Sequence, residues 1–342
     1  MKDTVIHVVN SVMVGINLFG NSLVCFVVLK HKSMRTTMNF LLVNLACSDM
    51  MVGVFSIFRI FIDIPFENLD GTAADAVCKL LTGGALMRVG ILASVLFLVL
   101  IAVERYYAVL YPLQHQTGLL VRKVKPIVLF IWIYAFAWHI PIITLLEYSI
   151  EEKVCIISWP SYVRQAMSVW WVISTAVFPV IMMGYLYMQI LRELWKRRLP
   201  GRVGSPKVRR KVTRMTLLIS VIYILTWIPH SVIFLYFIFK PHRSSTASSS
   251  VDEFAIVLVS FNSCVNPIVY TLHSKPFSES LKSLLICKRN AVLPAVSVVA
   301  PQHVEEGEEV SSYENEYSVE NNIDNRCQSV DGSHQGSFNG LP

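Results

Sequence analysis

Charged side chains interrupt the long apolar stretches of this chain, and they are the residues with the clearest potential for chemistry. Asp49 lies in the middle of one stretch, and Arg88 lies near the start of another that ends at Glu104 and Arg105. A charge inside a bilayer costs on the order of 3 kcal/mol even on lenient scales, so each of these side chains needs a partner or a function. Such residues form ion sites, ligand sites or transport paths.

The sequence contains none of the residue patterns typical of enzymes. Zinc-binding H-E-x-x-H, nucleophile-elbow G-x-S-x-G and Walker phosphate motifs are absent, and the nine histidines are dispersed. We therefore expect no covalent catalysis and no cofactor, apart from an ion near Asp49.

The composition predicts a membrane protein. Hydrophobic residues make up 54% of the 342 residues and charged residues only 15%, which is too apolar for an ordinary soluble protein. The net charge of +7 resides in short basic loops between apolar segments. Such loops are typical of the cytoplasmic face of membrane proteins, so we do not expect a nucleic-acid partner.

Seven apolar segments are each long enough to cross a bilayer as a helix. They run from Val5 to Leu29, Met38 to Ile62, Leu80 to Tyr107, Ile127 to Leu146, Ala166 to Ile190, Met215 to Phe239 and Phe254 to Leu272. The sequence thus predicts an all-α membrane protein, with a seven-transmembrane-helix bundle over residues 5–272 after a short N-terminal segment at 1–4.

The distribution of lysine and arginine predicts the orientation. The loops after the first, third and fifth segments are basic, whereas the alternate loops are acidic. The positive-inside bias makes the basic loops cytoplasmic, so the N-terminus is expected outside and the C-terminus inside. Arg105 then faces the cytoplasm.

The residues after the last segment divide into two parts. Residues 273–287 have apolar residues at helical spacing, which predicts a short amphipathic eighth helix along the inner membrane surface. Cys287 ends this stretch, either as a palmitoylation site or as a free cytosolic thiol. Residues 288–342 are rich in Glu, Ser, Asn and Gly and are predicted to be a disordered acidic tail.

Two groups of residues inside the spans suggest function. Asn21, Ser94, Asn262 and Asn266 offer oxygens at the depth of Asp49 if the helices alternate in direction, and the set fits either a sodium ion or a protonated carboxyl in a packing network. Pro179, Pro229 and Pro267 kink the fifth, sixth and seventh helices and supply hinges. Trp227, just before Pro229, is either a packing residue or a switch.

Taken together, these motifs resemble the rhodopsin-like (class A) family of G protein-coupled receptors over residues 5–287. The residues that carry the resemblance are Gly20-Asn21, Leu45 to Asp49, Glu104-Arg105-Tyr106, Trp132, Pro141, Pro179, Tyr187, Thr226 to Pro229, Asn266 to Tyr270 and Phe277. Single motifs of this kind are weak, but the ordered set is specific.

The resemblance implies a role for each matching residue. The set implied for G protein coupling is Glu104, Arg105, Tyr106, Tyr187, Asn266, Pro267 and Tyr270. Arg105 would contact the G protein once the sixth helix moves outward, with Tyr187 and Tyr270 holding it in the active state. Asp49, Ser94, Asn262 and Asn266 match the sodium site, Trp227 the toggle beneath the ligand, and Cys78 with Cys155 the disulfide.

The sequence departs from the family pattern at three positions. Arg209 stands where many members have an acid that locks Arg105, so the inactive state is expected to be held less firmly. Tyr223 replaces the usual phenylalanine in the core. Cys78 lies about two residues further from Arg105 than usual, which leaves the outer turn of the third helix undefined.

The ligand class follows from what the upper spans contain. Ser260 replaces the lysine that retinal would need, and Met87 replaces the aspartate of amine receptors. The expected ligand-binding residues are Arg59, Met87, Arg88, Trp171, His230 and Phe234, with Arg88 either a ligand anchor or a partner of a rim acid. This mixed-charge set favours a peptide. The alternatives are an amine or other small-molecule receptor and, from another class, a transporter.

The resemblance and the tail also imply the partners. A heterotrimeric G protein is expected at the cytoplasmic end, with arrestin and a receptor kinase acting at the tail. The other expected partners are the lipids of the plasma membrane and the extracellular peptide ligand.

Overall fold

The computed structural model describes residues 2–60, 66, 69–112, 119–151, 154–157, 159–196, 206–239, 245–273 and 277–279. Cys287, the acidic tail and most of the predicted eighth helix lie outside the described residues, as do the side chains of Arg59 and Arg209. Within the stretch predicted as the eighth helix, residues 277–279 are helical and Phe277 is buried.

Helices account for nearly all of the described chain. They are α1 (Lys2–Lys30), α2 (Thr37–Ile60), α3 (Gly71–Val77), α4 (Ala85–Leu110), α5 (Leu119–Leu145), α6 (Ser161–Val172), α7 (Phe178–Lys196), α8 (Pro206–Phe239) and α9 (Ser245–His273). A π-helical turn, Cys78–Thr82, follows α3, and another, Ile173–Val177, joins α6 to α7.

The helices agree with the predicted membrane spans. Six stretches of the described residues are long and apolar enough to cross a membrane: Val5–Lys30, Thr37–Phe58, Gly71–Leu110, Lys123–Leu145, Ser161–Lys196 and Val212–Phe239. The predicted seventh span lies within α9. The predicted third span differs, because it is not one continuous helix.

The third span is broken at a glycine pair between the π turn and α4. Gly84 has a φ of 72°, in the left-handed region that glycine adopts without a steric penalty. The chain turns here before α4 begins at Ala85, which accounts for the extra residues between Cys78 and Arg105. Cys78 forms the predicted disulfide with Cys155.

A small β-hairpin lies beside this break and was not predicted from the sequence. Strand β1 (Leu146–Ser149) pairs antiparallel with β2 (Val154–Ile157), and Tyr148 stands opposite Cys155. The disulfide ties β2 to the π turn, and the backbone N–H of Tyr148 donates to Asp75 Oδ1 at 2.9 Å. We call this side of the bundle the disulfide end, and the opposite side the Arg105 end.

Helix α4 is the axis of the bundle, since most of its side chains are buried from Ala85 to Val109. It packs against α2, α5, α7 and α8. The ring of Phe97 on α4 meets Trp132 of α5 edge to face, and the Trp132 indole donates to Asn44 of α2 at 3.2 Å. Three helices are thereby locked together at mid-height.

Two glycines allow helices to approach unusually closely. A Cβ at Gly90 on α4 would lie 2.9 Å from the Ser48 carbonyl oxygen of α2 and 3.1 Å from Val52. A Cβ at Gly20 on α1 would lie 2.9 Å from the Pro267 ring of α9. These contacts set the helix spacing around Asp49.

Gly90→Ala should therefore lower the stability of the protein by about 1–3 kcal/mol, because the added methyl group pushes α4 away from the α2 backbone. Gly184→Ala on α7 is the matched control, because nothing lies within 4 Å of its added Cβ. The measurement is the thermal unfolding midpoint of the purified protein in detergent. Equal midpoints for Gly90→Ala and Gly184→Ala would contradict the close packing.

Candidate functional site

Asp49 is the centre of a buried polar network at mid-bundle. Its side chain on α2 is fully buried. Asp49 Oδ1 accepts hydrogen bonds from Ser94 Oγ of α4 at 2.8 Å and from Ser263 Oγ of α9 at 2.9 Å, and Oδ2 accepts from Asn266 Nδ2 at 2.7 Å. One carboxylate therefore joins three helices.

The partners of Asp49 differ in part from the predicted set. Ser94 and Asn266 bond to the carboxylate, and so does Ser263, which the sequence analysis did not single out. Ser263 precedes Asn266 by three residues, a spacing that places both on one face of a helix. Asn262 Oδ1 is buried with no hydrogen-bond partner among the described residues.

Helix α1 supports the network from behind. Asn17 Nδ2 donates to the backbone carbonyl of Asp49 at 2.9 Å. Gly53 permits this contact, since a Cβ there would lie 2.9 Å from Asn17 Nδ2. Asn21 Nδ2 donates to Asn17 Oδ1 at 2.7 Å and to the Ser263 carbonyl at 3.2 Å, which ties α1 to α9.

The donor set of this network suits a hard cation. It offers a carboxylate, two hydroxyl oxygens and the buried, unpaired amide oxygens of Asn21 and Asn262. Oxygen ligands of this kind bind ions such as sodium rather than transition metals. Among the described residues, no group of three or more His, Cys, Asp or Glu side chains could hold a metal.

Glu104 and Arg105 form an ion pair at the opposite end of α4 from the disulfide. Glu104 is buried, and the Arg105 side chain is only 12% exposed. Tyr106 beside them packs against Tyr107 and Tyr111. The predicted charge pair is thus present and largely shielded from solvent.

The hydroxyl groups of Tyr187 and Tyr270 are buried and could form new hydrogen bonds if the helices moved. Both side chains are buried, and neither hydroxyl group has a hydrogen-bond partner among the described residues. Neither hydroxyl therefore forms a hydrogen bond with Arg105 in this packing of the helices. The hydrogen bonds to Arg105 that the family resemblance implies for the active state are therefore not formed here.

Pro179 and Tyr223 form an unexpected link between α7 and α8. An α-helical hydrogen bond to the Thr175 carbonyl would come from residue 179, which is proline and has no N–H. The fully buried Tyr223 hydroxyl of α8 donates to this carbonyl instead. A phenylalanine at position 223 would have no hydroxyl group. The Tyr223 hydroxyl thus bonds to the Thr175 carbonyl, which lacks the backbone donor that a residue other than proline would supply at position 179.

A column of rings runs along one face of α8 from Tyr223 towards the disulfide end. Tyr223 lies 5.6 Å from Trp227, Trp227 lies 5.0 Å from His230, and His230 stacks on Phe234 at 6.1 Å with an interplanar angle of 6°. The indole nitrogen of Trp227 is buried and has no partner among the described residues. Pro229 lies within α8 beside this column.

The predicted ligand residues fall into separate groups. His230 and Phe234 stack on α8, whereas Trp171 packs edge to face against His139 of α5 at 5.5 Å. On α4, Met87 is buried and accepts a hydrogen bond from Ser56 at 3.4 Å.

Arg88 occupies the first turn of α4, near the disulfide end. The Arg88 guanidinium lies 3.5 Å from the Gly83 carbonyl. His139 was not predicted as a functional residue, although it is the single histidine of the fourth apolar segment.

The chain matches the model of the seven-transmembrane receptor family called the rhodopsin family over residues 20–270. This match includes the last part of α1 from Gly20, the helices from α2 to α8, and α9 as far as Tyr270.

Several receptors are similar over most of this chain. Galanin receptor 2a of Danio rerio is 28% identical over 309 residues, covering 88% of this chain and 84% of the relative. Tachykinin-like peptides receptor 86C of Drosophila melanogaster is 29% identical over 315 residues, covering 84% and 59%. Allatostatin-A receptor of Bombyx mori is 28% identical over 286 residues, covering 80% and 77%.

Tyr223→Phe should destabilise the protein by about 1–3 kcal/mol, because it removes the donor to the Thr175 carbonyl in a buried setting. Tyr270→Phe is the matched control, because the hydroxyl it removes is buried and has no hydrogen-bond partner among the described residues. Thermal unfolding of both purified variants checks this. If Tyr270→Phe lowers the unfolding temperature as much as Tyr223→Phe does, the hydrogen bond between Tyr223 and the Thr175 carbonyl does not contribute the predicted stability.

Proposed function

The chain belongs to the rhodopsin family of seven-transmembrane receptors, and we propose that it is a plasma-membrane receptor that an extracellular peptide activates. The protein acts on a heterotrimeric G protein by changing the packing of its helices and catalyses no covalent reaction. The observation that carries the proposal is the family match over residues 20–270 together with the shielded Glu104–Arg105 pair at one end of the bundle.

The proposed orientation has the N-terminus and the disulfide end outside the cell. The basic loops at the Arg105 end support it, since lysine and arginine concentrate on the cytoplasmic side. A disulfide also persists in the oxidising environment outside the cell. The acidic tail would then be cytoplasmic, where a receptor kinase could phosphorylate it and arrestin could bind it.

The proposed mechanism is a shift between two packings of the same helices. An agonist activates by binding one packing more tightly, with about 1.4 kcal/mol of differential affinity for each tenfold shift in population. In the active packing, α8 moves away from α4, and the unpaired hydroxyls of Tyr187 and Tyr270 reach Arg105. A G protein bound at that end raises agonist affinity by the same factor, because coupling is reciprocal.

Both the names of the similar receptors and the residues at the disulfide end support a peptide as the ligand. Three of the similar receptors are named for galanin, tachykinin-like peptides and allatostatin A. The disulfide end offers a cation at Arg88, an aromatic surface at Trp171 and Phe234, and a polar ring at His230. An amine has no carboxylate to bind at Met87.

The Asp49 network is the proposed site of an allosteric sodium ion. Asp49, Ser94 and Ser263 would hold it, and the unpaired oxygen of Asn262 is a further ligand. The ion would neutralise the buried carboxylate and favour the packing seen here, in which α2, α4 and α9 converge on Asp49. A transporter reading of Asp49 has less support, because transporter folds show repeated halves and the sequence shows none.

Arg105→Ala should abolish agonist-stimulated nucleotide exchange on a reconstituted G protein, because it removes the side chain that contacts the G protein. The assay uses full-length receptor in lipid vesicles with purified heterotrimer. Lys125→Ala, an exposed base on α5, is the control and should leave exchange unchanged. Exchange that survives Arg105→Ala would refute the mechanism.

Asp49→Asn should remove the sodium sensitivity of agonist affinity, because the charge that attracts the ion is gone. Agonist competition binding in sodium chloride is compared with N-methylglucamine chloride at equal ionic strength. Ser263→Ala should weaken the sodium effect as well, since Ser263 contacts the same carboxylate oxygen as Ser94. A salt response that is the same in wild type and Asp49→Asn would exclude this site.

A further inference from the structure

Tyr223 on α8 reaches a backbone group of a neighbouring helix, and this contact has a consequence beyond stability. Its side chain is completely buried, and its hydroxyl donates to the Thr175 carbonyl in the π-helical turn between α6 and α7. Residue 179 is proline and has no N–H for this carbonyl. A side chain of α8 thus takes the place of a backbone donor that α7 lacks.

The acceptor of this hydrogen bond is held in place by its own surroundings. The Thr175 side chain is completely buried, and its hydroxyl donates to the Trp171 carbonyl at 2.7 Å. The neighbouring Ser174 hydroxyl donates to the Trp170 carbonyl at 2.8 Å. Both bonds go to the last turn of α6, so the Thr175 carbonyl is anchored to that helix.

The donor lies on the part of α8 that moves in the proposed mechanism. Pro229 lies within α8, where a proline kinks a helix and serves as a hinge. Tyr223 is on the Arg105 side of that proline, at about 9 Å along the helix axis for a rise of 1.5 Å per residue. A swing of this segment away from α4 therefore displaces the hydroxyl from a carbonyl that stays with α6. Hydrogen bonds weaken steeply when their distance and alignment are lost.

The hydrogen bond is present in the packing in which Arg105 is shielded, which we call the resting packing. Here Arg105 pairs with Glu104, and the hydroxyls of Tyr187 and Tyr270 have no hydrogen-bond partner among the described residues. The proposed mechanism has these two hydroxyls reach Arg105 in the active packing. An interaction that is made in one packing and lost in the other shifts the equilibrium towards the first.

We propose that Tyr223 is a positioning residue whose hydroxyl holds α8 in the resting packing and thereby lowers the basal activity of the receptor. This rests on the proposed function and names a side chain that regulates it. The restraint is present in a chain that has Arg209 in place of the acid that locks Arg105 in many family members.

The test measures nucleotide exchange on a purified heterotrimeric G protein by full-length receptor in lipid vesicles, without any agonist. Tyr223→Phe should raise this basal exchange about fivefold, because it keeps the ring and removes one buried hydrogen bond. Exchange is expressed per folded receptor, so a lower yield of folded protein does not enter the comparison.

Tyr134→Phe on α5 is the matched control. It also removes a tyrosine hydroxyl, from a half-buried ring that packs against Phe130 and Trp138 of the same helix. Basal exchange should equal that of wild type in this variant. A basal exchange that is unchanged or lower in Tyr223→Phe would overturn the proposal even if the unfolding temperature falls, because the hydrogen bond would then be structural only or would favour the active packing.

Pro179→Ala provides an independent check on the acceptor. Residue 179 regains an N–H that can bond to the Thr175 carbonyl, so the Tyr223 hydroxyl is no longer the only donor. Added to Pro179→Ala, Tyr223→Phe should raise basal exchange by about twofold at most, since changes that share one partner are not additive. The full increase in this background would show that the hydroxyl acts through another group, and the proposal would fail.

A distance measurement separates this proposal from the proposed coupling to a G protein. Nitroxide labels are attached at Lys125→Cys of α5 and Arg214→Cys of α8, both exposed at the Arg105 end, in a receptor whose free cysteines are replaced by serine. Without G protein, Tyr223→Phe should enlarge the population with the longer distance between the labels. Unchanged distances would overturn the proposal. Longer distances without exchange on any heterotrimer would support the restraint on α8 and refute the proposed function.

Discussion

A carboxylate buried at mid-membrane is the constraint on which the bundle depends. Asp49 cannot be solvated there, so the chain supplies donors from α4 and α9, and α1 holds the backbone behind it. Every one of these contacts fixes a helix in rotation and in height, and Gly20, Gly53 and Gly90 bring the backbones near enough to make them. The spacing of four helices is thus set by the needs of one side chain.

The packing of the helices seen here is held at several places and not only at Arg105. The basic Arg209 cannot lock Arg105 as an acid would, yet α8 is held to α7 through the Tyr223 hydroxyl and the Thr175 carbonyl. The same tyrosine begins the column of rings that ends at Phe234. A group that displaces Phe234 or His230 therefore acts on a continuous stack whose far end is the helix-to-helix hydrogen bond.

The sequence predicted the membrane spans and much of the polar network around Asp49. It did not predict Ser263, the β-hairpin or the break at Gly84, and the physical reasons differ. Apolar length determines a membrane helix, and a mid-span charge such as Asp49 demands partners that few residues can provide. Ser263 was not predicted because a serine is common within a membrane span. Whether its hydroxyl reaches Asp49 depends on the rotation of α9 about its axis, which the sequence does not show. The β-hairpin and the break at Gly84 depend on local dihedral angles and a distant disulfide, which hydrophobic pattern does not encode.

The glycine break before α4 divides the predicted third span into a part that the disulfide fixes and a part that packs within the bundle. The disulfide bonds the hairpin to the π turn, whereas α4 starts only at Ala85, after Gly84 in the left-handed region. The position of the hairpin is therefore fixed by residues that precede the break, whereas the position of α4 is fixed by its packing against α2, α5, α7 and α8.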